Sequence, residues 1–198
     1  MKLTSLLWLT TCLFGCGGGG GTAAVVVASV ELYGESTLVQ KPVSVGDYLQ
    51  QSIAMVVINR AVPSTTARQQ YEGRDGLNLP WRQQLASSKA SVIVINRGIN
   101  DAFQEVNPVD FRSVMASLIT EALAAGKRVI LQTPNQVMQP YAAGVLVNAQ
   151  IIRDLGQLYK VPVSDTDLLP GGTIDTLHPD PILELAMAQD LARLIRGL

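Results

Sequence analysis

Five short apolar runs rich in β-branched residues place the strongest constraint on the fold of this chain. Runs of about four to eight such residues are typical of strands buried on both faces. They lie within residues 23–37 and at 55–59, 91–96, 128–132 and 161–163. Strands that alternate with helices favour a parallel sheet covered on both sides. We therefore predict an α/β fold, with a five-stranded parallel sheet in three α/β/α layers.

The segments between these runs predict the helices. Helical spacing or helix start signals occur at 45–49, 80–88, 108–125, 142–159 and 182–195. Gly126 ends the third of these helices as a C-terminal cap. Pro162 marks the fifth strand as an edge strand, because proline has no N–H to donate to a neighbouring strand. With no internal repeat and no sign of a second domain, we predict a single domain over residues 23–198.

Charge and cysteine content exclude several functional classes. A formal net charge of −1 over 198 residues gives no basic face of the kind that binds nucleic acid. The two cysteines, Cys12 and Cys16, lie close together near the N-terminus, so we expect no disulfide framework and no cysteine metal site in the folded body. The single histidine leaves only carboxylates as further metal ligands, and we predict no metal site.

The N-terminus has the pattern of a targeting signal. Lys2 precedes an apolar run at 3–14 that is too short to span a bilayer comfortably, and Cys16 follows. This pattern resembles a bacterial lipoprotein signal, with the alternative of a plain secretory signal cleaved nearby. The resemblance implies a signal peptide over 1–15, lipidation of Cys16 and a glycine-rich tether over 16–22. We therefore predict an extracytoplasmic protein with a lipid anchor in a bacterial membrane, the outer membrane in a Gram-negative host.

Polar residues follow the predicted strands at the edge where the ligand crevice of an open α/β sheet lies. Ser36, Ser64 and Asn100 follow the first three strands, and a C-terminal turn carries Asp175 and His178. Acyl transfer needs a nucleophile, a base, a group that orients the base, and donors for the oxyanion. Each residue also has a structural alternative: Ser36 and Asp175 as helix caps, Asn100 as a structural residue, and His178 as an exposed or capping side chain.

Three motifs in order make the chain resemble the SGNH/GDSL hydrolases, a family of esterases and lipases. They are Gly-Glu-Ser at 34–36, Gly-Ile-Asn-Asp at 98–101 and Asp-Thr-Leu-His-Pro at 175–179. The resemblance implies a flavodoxin-like fold, with Ser36 as the nucleophile, His178 as the general base and Asp175 as its orienting partner. It also implies an oxyanion hole formed by Ser36, Ser64 and Asn100, and no cofactor.

Two positions depart from the family pattern, and one further residue stands out. Glu35 replaces the usual aspartate, and Ser64 takes the place of a glycine whose N–H belongs to the oxyanion hole. A serine keeps that N–H, but its Cβ excludes some backbone conformations that are open to glycine. Arg97, beside Gly98, is a candidate contact for an anionic or sugar substrate, with a solvated side chain as the alternative.

The function that the sequence favours is hydrolysis of small acyl esters, such as O-acetyl groups on a polysaccharide or cell-wall glycan. The expected partners are this small-molecule or glycan substrate and the membrane; no oligomeric state is predicted. Few aromatic residues and short loops leave little material for a long acyl tunnel. The alternatives are a lysophospholipase or thioesterase, or a lipoprotein that binds glycans on the same fold without turnover.

Overall fold

A computed structural model describes residues 28–39 and 42–198. The predicted signal peptide, the lipidation site at Cys16, the glycine-rich tether and the valines at 25–27 lie outside these described residues. Within the described ranges, no helix combines the length and apolar character needed to cross a membrane.

The sheet has five parallel strands in the order β2-β1-β3-β4-β5, which confirms the predicted fold class. This order is that of the flavodoxin-like doubly wound fold. The strands are β1 (Ser29–Tyr33), β2 (Val56–Asn59), β3 (Val92–Asn96), β4 (Arg128–Gln132) and β5 (Val163–Ser164).

The fifth strand lies at the edge, as the proline predicts, but it begins two residues later than expected. Val161 instead completes the end of the preceding helix, since its N–H donates to the carbonyl of Gly156. Pro162 contributes only its carbonyl, which accepts a 3.0 Å hydrogen bond from Leu131 N.

Seven α-helices are found among the described residues, and two of them were not predicted. They are α1 (Val45–Ser52), α2 (Ala67–Glu72), α3 (Trp81–Ser87), α4 (Ile99–Phe103), α5 (Pro108–Ala124), α6 (Ala142–Tyr159) and α7 (Pro181–Arg196). The two unpredicted helices, α2 and α4, have six and five residues, too few to show a helical period. A capping box between Thr66 and Gln69 begins α2 and is the local signal that could have revealed it.

The hydrophobic core has two halves, one on each face of the sheet. Alternate residues of a strand point to opposite faces, so Tyr33 packs against α3 and α5 while Leu32 packs toward α1 and α7. Burying one large apolar side chain stabilises the fold by about 1.5–3 kcal/mol. Both halves therefore hold the strands rigidly, and the loops at the carboxyl ends of β1 and β3 start from fixed positions.

Candidate active site

Ser36 follows β1 after a tight turn and begins a short 3₁₀ helix, Ser36–Leu38. The turn requires a glycine, because a Cβ at Gly34 would lie 2.9 Å from the carbonyl oxygen of Asn96 and 2.5 Å from Leu38 Cδ1. Glu35 is buried with extended backbone, whereas Ser36 is only half-buried. The Ser36 hydroxyl is thus held at the carboxyl edge of the sheet by a turn with little freedom to move.

His178 connects Ser36 to Asp175. Its Nε2 lies 3.0 Å from Ser36 Oγ, and its Nδ1 lies 2.7 Å from Asp175 Oδ2. Asp175 Oδ1 also accepts hydrogen bonds from the backbone N–H groups of Leu177 and His178, at 3.2 and 2.7 Å. These bonds, first of all that from the His178 N–H, lower the pKa of Asp175 from its ordinary value. Asp175 is therefore a carboxylate in the neutral pH range and faces one ring nitrogen of His178.

Asp175 does not cap the helix that follows its turn. The cap of α7 is Asp180, which accepts a 2.8 Å hydrogen bond from Leu183 N. Thr176 within the turn has a φ of +71°, in the left-handed region that non-glycine residues rarely adopt. The turn is stabilised from outside as well, since Asn135 Nδ2 donates to the carbonyl of Leu177 at 2.9 Å.

Asn135 is a site residue that the sequence interpretation missed. It is almost fully buried, and it follows the end of β4 in a Thr-Pro-Asn segment. That position at the carboxyl edge of the sheet was the available signal, the same one that singled out Ser36 and Asn100.

Glu35 joins the loop of Ser36 to the start of α4. Its carboxylate accepts hydrogen bonds from Ile99 N and Asn100 N, both at 2.9 Å, and from Asn100 Nδ2 at 2.6 Å. Gly98 stands at the N-cap position of α4 and has no side chain to cap it, so Glu35 supplies this cap from a distant part of the chain. Burial raises the pKa of Glu35 to about 7, and the charge of Arg97 and the hydrogen bonds oppose the rise.

One known protein family matches the part of the chain that contains these residues. The model of the GDSL-like Lipase/Acylhydrolase family matches residues 30–183, which include Ser36, Asn100, Asp175 and His178. The chain belongs to this family.

Solved structures with the GDSL fold are similar over most of the chain, at low sequence identity. The lipase/acylhydrolase of Enterococcus faecalis has a TM-score of 0.71 at 19% identity, over 86% of this chain and 96% of that one. An aryl esterase of M. smegmatis has a TM-score of 0.73 at 17% identity, over 87% and 100%. An acetylxylan esterase of Geobacillus stearothermophilus has a TM-score of 0.66 at 16% identity, over 87% and 94%. No curated protein sequence matches the chain.

Arg97 was predicted to contact the substrate, but in this GDSL-family chain it lies in the protein interior. It is fully buried, and its guanidinium donates to Gln70 Oε1 at 2.7 Å and to the carbonyl and hydroxyl oxygens of Thr65 at 2.9 and 2.8 Å. The prediction of a substrate contact is wrong, because no part of the side chain faces solvent. The alternative of a solvated side chain is wrong for the same reason. Arg97 instead supports the loop that carries Ser64.

Ser64, which the sequence resemblance predicts to take the place of the family's glycine, has a φ of +61° and an exposed side chain. This is the left-handed conformation that glycine adopts without strain and serine adopts at a cost. Its loop runs alongside the turn of Ser36, since Val62 N donates to the carbonyl of Gly34 at 3.0 Å. The backbone at residue 64 thus has the conformation expected of a glycine, although the residue is a serine.

Metal ligands are not gathered at this site. Among the described residues, no group of three or more histidine, cysteine, aspartate and glutamate side chains is arranged to hold a metal ion. The side chains of Ser36, His178 and Asp175 are instead arranged in hydrogen-bonding pairs, and such pairs suit proton transfer.

Proposed function

We propose that the protein is a serine ester hydrolase that acts on small acyl esters. The observation that carries the proposal is the continuous path of hydrogen-bonding distances from Ser36 Oγ through His178 to Asp175, at 3.0 and 2.7 Å. A hydroxyl, an imidazole and a carboxylate at these distances can move one proton away from the hydroxyl as it attacks a carbonyl carbon.

The first half of the reaction forms an acyl-enzyme. Ser36 Oγ attacks the ester carbonyl carbon while His178 Nε2 takes the hydroxyl proton, and Asp175 stays ionised and stabilises the imidazolium. The carbonyl oxygen becomes an oxyanion. His178 then gives the proton to the alcohol oxygen as the bond between carbon and that oxygen breaks. A water molecule deacylates Ser36 in the second half by the same proton transfers.

The oxyanion requires donors that are in place before the reaction. We assign this role to the backbone N–H groups of Ser36 and Ser64 and to the side-chain amide of Asn100. The amide nitrogen of Asn100 carries two hydrogens. The hydrogen bond to Glu35 at 2.6 Å uses one of them, which leaves the other for the oxyanion.

The substrate class that we propose is O-acetyl esters of a polysaccharide or cell-wall glycan. Support comes from the Geobacillus stearothermophilus neighbour, which is an acetylxylan esterase. No observation on the described residues favours a lysophospholipase or a thioesterase.

The place of action that we propose is outside the cytoplasm, with a lipid on Cys16 that anchors the protein to a bacterial membrane. Only the sequence pattern before Cys16 supports this part of the proposal.

Hydrolysis of a panel of p-nitrophenyl esters with two to eight acyl carbons tests the enzymatic proposal. The protein starting at Thr22 is suitable, and its Ser36→Ala variant is the control. We expect the highest kcat/KM for acetate and no turnover above background by the control. Turnover that is equal in wild type and Ser36→Ala, or absent in both, would contradict the proposal.

A further inference from the structure

Two cavities lie side by side next to the turn of His178. Their volumes are about 180 and 300 Å³, and both are lined by Gln136, Val137 and Asp167. The larger cavity extends toward Val145 and Leu146 of α6, and the smaller extends toward Thr166. The segment 136–137 therefore lies between the two cavities and forms part of the wall of each.

Hydrogen bonds attach the wall of these cavities to the site. Asn135, which lines the larger cavity, donates from Nδ2 to the carbonyl of Leu177 at 2.9 Å. Met138, which lines the smaller one, donates from its backbone N–H to the carbonyl of Thr176 at 3.0 Å. Both acceptors lie within two residues of His178, so the wall shared by the cavities is attached to the turn of His178, although His178 itself lines neither cavity.

The lining indicates what the cavities can hold. Val145 and Leu146 give the larger cavity an apolar wall, while Asn135 Oδ1 and Thr166 Oγ1 are buried oxygens without a hydrogen-bond partner among the described residues. Both residues are 1% exposed. Buried oxygens without a partner are costly, so each of these two oxygens can accept a hydrogen bond when a hydroxyl group reaches it. Apolar walls with a few polar groups are typical of sites for small organic ligands.

Charge narrows the choice of ligand. The carboxylate of Asp167 is already paired, because its Oδ1 accepts hydrogen bonds from the Arg153 guanidinium and from Thr133 Oγ1. The lining therefore offers neither a free cation for an anionic ligand nor an uncompensated anion for a cationic one. An uncharged ligand with several hydroxyl groups and an apolar ring face fits these cavities best.

We propose that these cavities bind the alcohol half of the ester, and that this alcohol is an uncharged polyol such as a sugar unit. The inference rests on the proposed function. In that mechanism His178 returns its proton to the alcohol oxygen, so the alcohol leaves on the histidine side of the reacting carbon. The residues assigned to the oxyanion, Ser36, Ser64 and Asn100, line neither cavity. Cavities attached to the turn of His178 are thus on the side of the alcohol.

A selectivity experiment tests this assignment. p-Nitrophenyl acetate and a mono-O-acetylated methyl β-D-xylopyranoside carry the same acyl group on different alcohols, and the xyloside keeps its other hydroxyl groups free. Leu146 is 55% exposed, so Leu146→Trp adds volume at the mouth of the larger cavity without disturbing the core. Val147→Trp is the matched control, because Val147 is its neighbour on α6, is 46% exposed and does not line the cavity.

We expect Leu146→Trp to lower the ratio of kcat/KM for the acetylated xyloside to that for p-nitrophenyl acetate by at least about tenfold. Val147→Trp should leave the ratio within about twofold of wild type. A ratio that Leu146→Trp leaves unchanged would overturn the assignment. So would a variant that instead discriminates p-nitrophenyl hexanoate from the acetate, since the cavity would then hold the acyl chain.

Binding without turnover separates this inference from the proposed function. Methyl β-D-xylopyranoside is titrated into ¹⁵N-labelled Ser36→Ala protein, and backbone amide shifts are followed by NMR. We expect saturable shifts at Asn135, Gln136 and Val145 that are lost in the double variant Ser36→Ala, Leu146→Trp. Shifts confined to other parts of the chain, or none up to solubility, would refute a polyol site even if the esterase activity is present. Binding here without any esterase activity would refute only the hydrolase.

Discussion

Asn100 Nδ2 donates a 2.6 Å hydrogen bond to Oε2 of Glu35, the residue directly before Ser36. The same carboxylate binds two backbone N–H groups at the start of α4, at 2.9 Å each. The amide proposed to stabilise the oxyanion is therefore oriented by the neighbour of the proposed nucleophile. A rigid second contact of this kind keeps a donor in place before charge develops.

Glu35→Gln should lower kcat by about tenfold or more, with a smaller change in KM. The amide has one acceptor oxygen and brings an NH₂ group against three donors, so it cannot hold Asn100 in the same orientation. Steady-state kinetics on p-nitrophenyl acetate measure both constants. Glu35→Asp is the matched control, since it keeps the charge and should lie between wild type and Glu35→Gln. Wild-type kcat in Glu35→Gln would show that the orientation of Asn100 does not depend on this carboxylate.

Ser36→Ala and His178→Ala should each lower kcat by about three orders of magnitude, and the double variant should be hardly worse. Ser36 and His178 take part in the same proton transfer, so removing either one already abolishes it. Removing the second residue therefore adds little further loss of kcat. Asp175→Asn should cost no more than either. Circular dichroism checks that each variant is folded. More than a tenth of the activity left in Ser36→Ala would exclude it as the nucleophile.

Ser64→Ala should leave kcat within a few fold, because the proposed donor is the backbone N–H and not the hydroxyl. Asn100→Ala removes a side-chain donor and should cost about 10²–10³ in kcat. Ser64→Gly should raise the free energy of unfolding by up to about 1 kcal/mol, since glycine adopts a φ of +61° without strain. Kinetics and urea denaturation test these outcomes. A loss in Ser64→Ala as large as that in Asn100→Ala would assign the role to the hydroxyl.

Glu184→Gln should stabilise the protein by about 3 kcal/mol at pH 8, and by less than about 1 kcal/mol near pH 5. Glu184 is buried in the first turn of α7, and burial, with Asp180 and Asp47 nearby, raises its pKa to about 7. A raised carboxyl pKa means that the folded state holds its proton more tightly than the unfolded state. The free energy of unfolding therefore falls as pH rises from about 4.5 to 7, and the glutamine variant lacks this fall.

Urea denaturation at pH 5 and pH 8 measures this difference for Glu184→Gln, and exposed Glu105 supplies the control variant Glu105→Gln. Asp101, whose pKa burial raises to about 6, and Glu35 keep part of the pH dependence in every variant. Equal stabilisation by Glu184→Gln at both pH values would show that the effect does not come from the charge.

Cys16 should carry lipid in the mature protein. Mass spectrometry of membrane-extracted protein should find an acylated N-terminal Cys16, and Cys16→Ser should abolish the membrane-bound form. The physical reason is that stable attachment here depends on acyl chains that insert into the bilayer. A mature N-terminus beyond residue 16 without lipid would exclude the anchor and favour a plain secretory signal.

The sequence by itself determined the number of strands, the longer helices and the order of the three motifs, but it placed β5 two residues too early and predicted a buried β2, which lies at the sheet edge and is partly exposed. The apolar run of β3 and the cap at Gly126 are local patterns. A strand buried on both faces requires several apolar residues in a row, and a left-handed turn favours glycine at one position. The glycine of the Ser36 turn is different: it is visible in the sequence as part of a motif, but the steric need for it arises in the tertiary structure, where a Cβ would lie 2.9 Å from the carbonyl oxygen of Asn96.

Only the tertiary structure decided how residues far apart in the chain meet. Ser36 and His178 are 142 positions apart and come within 3.0 Å because β1 and the turn before α7 end at the same edge of the sheet. Arginine is usually a surface residue, yet Arg97 is fully buried, with its guanidinium bonded to the loop of Thr65 and its charge interacting with buried carboxylates. Propensity and periodicity are summed over neighbours in the sequence, whereas burial, orientation and countercharges depend on elements that only folding brings together.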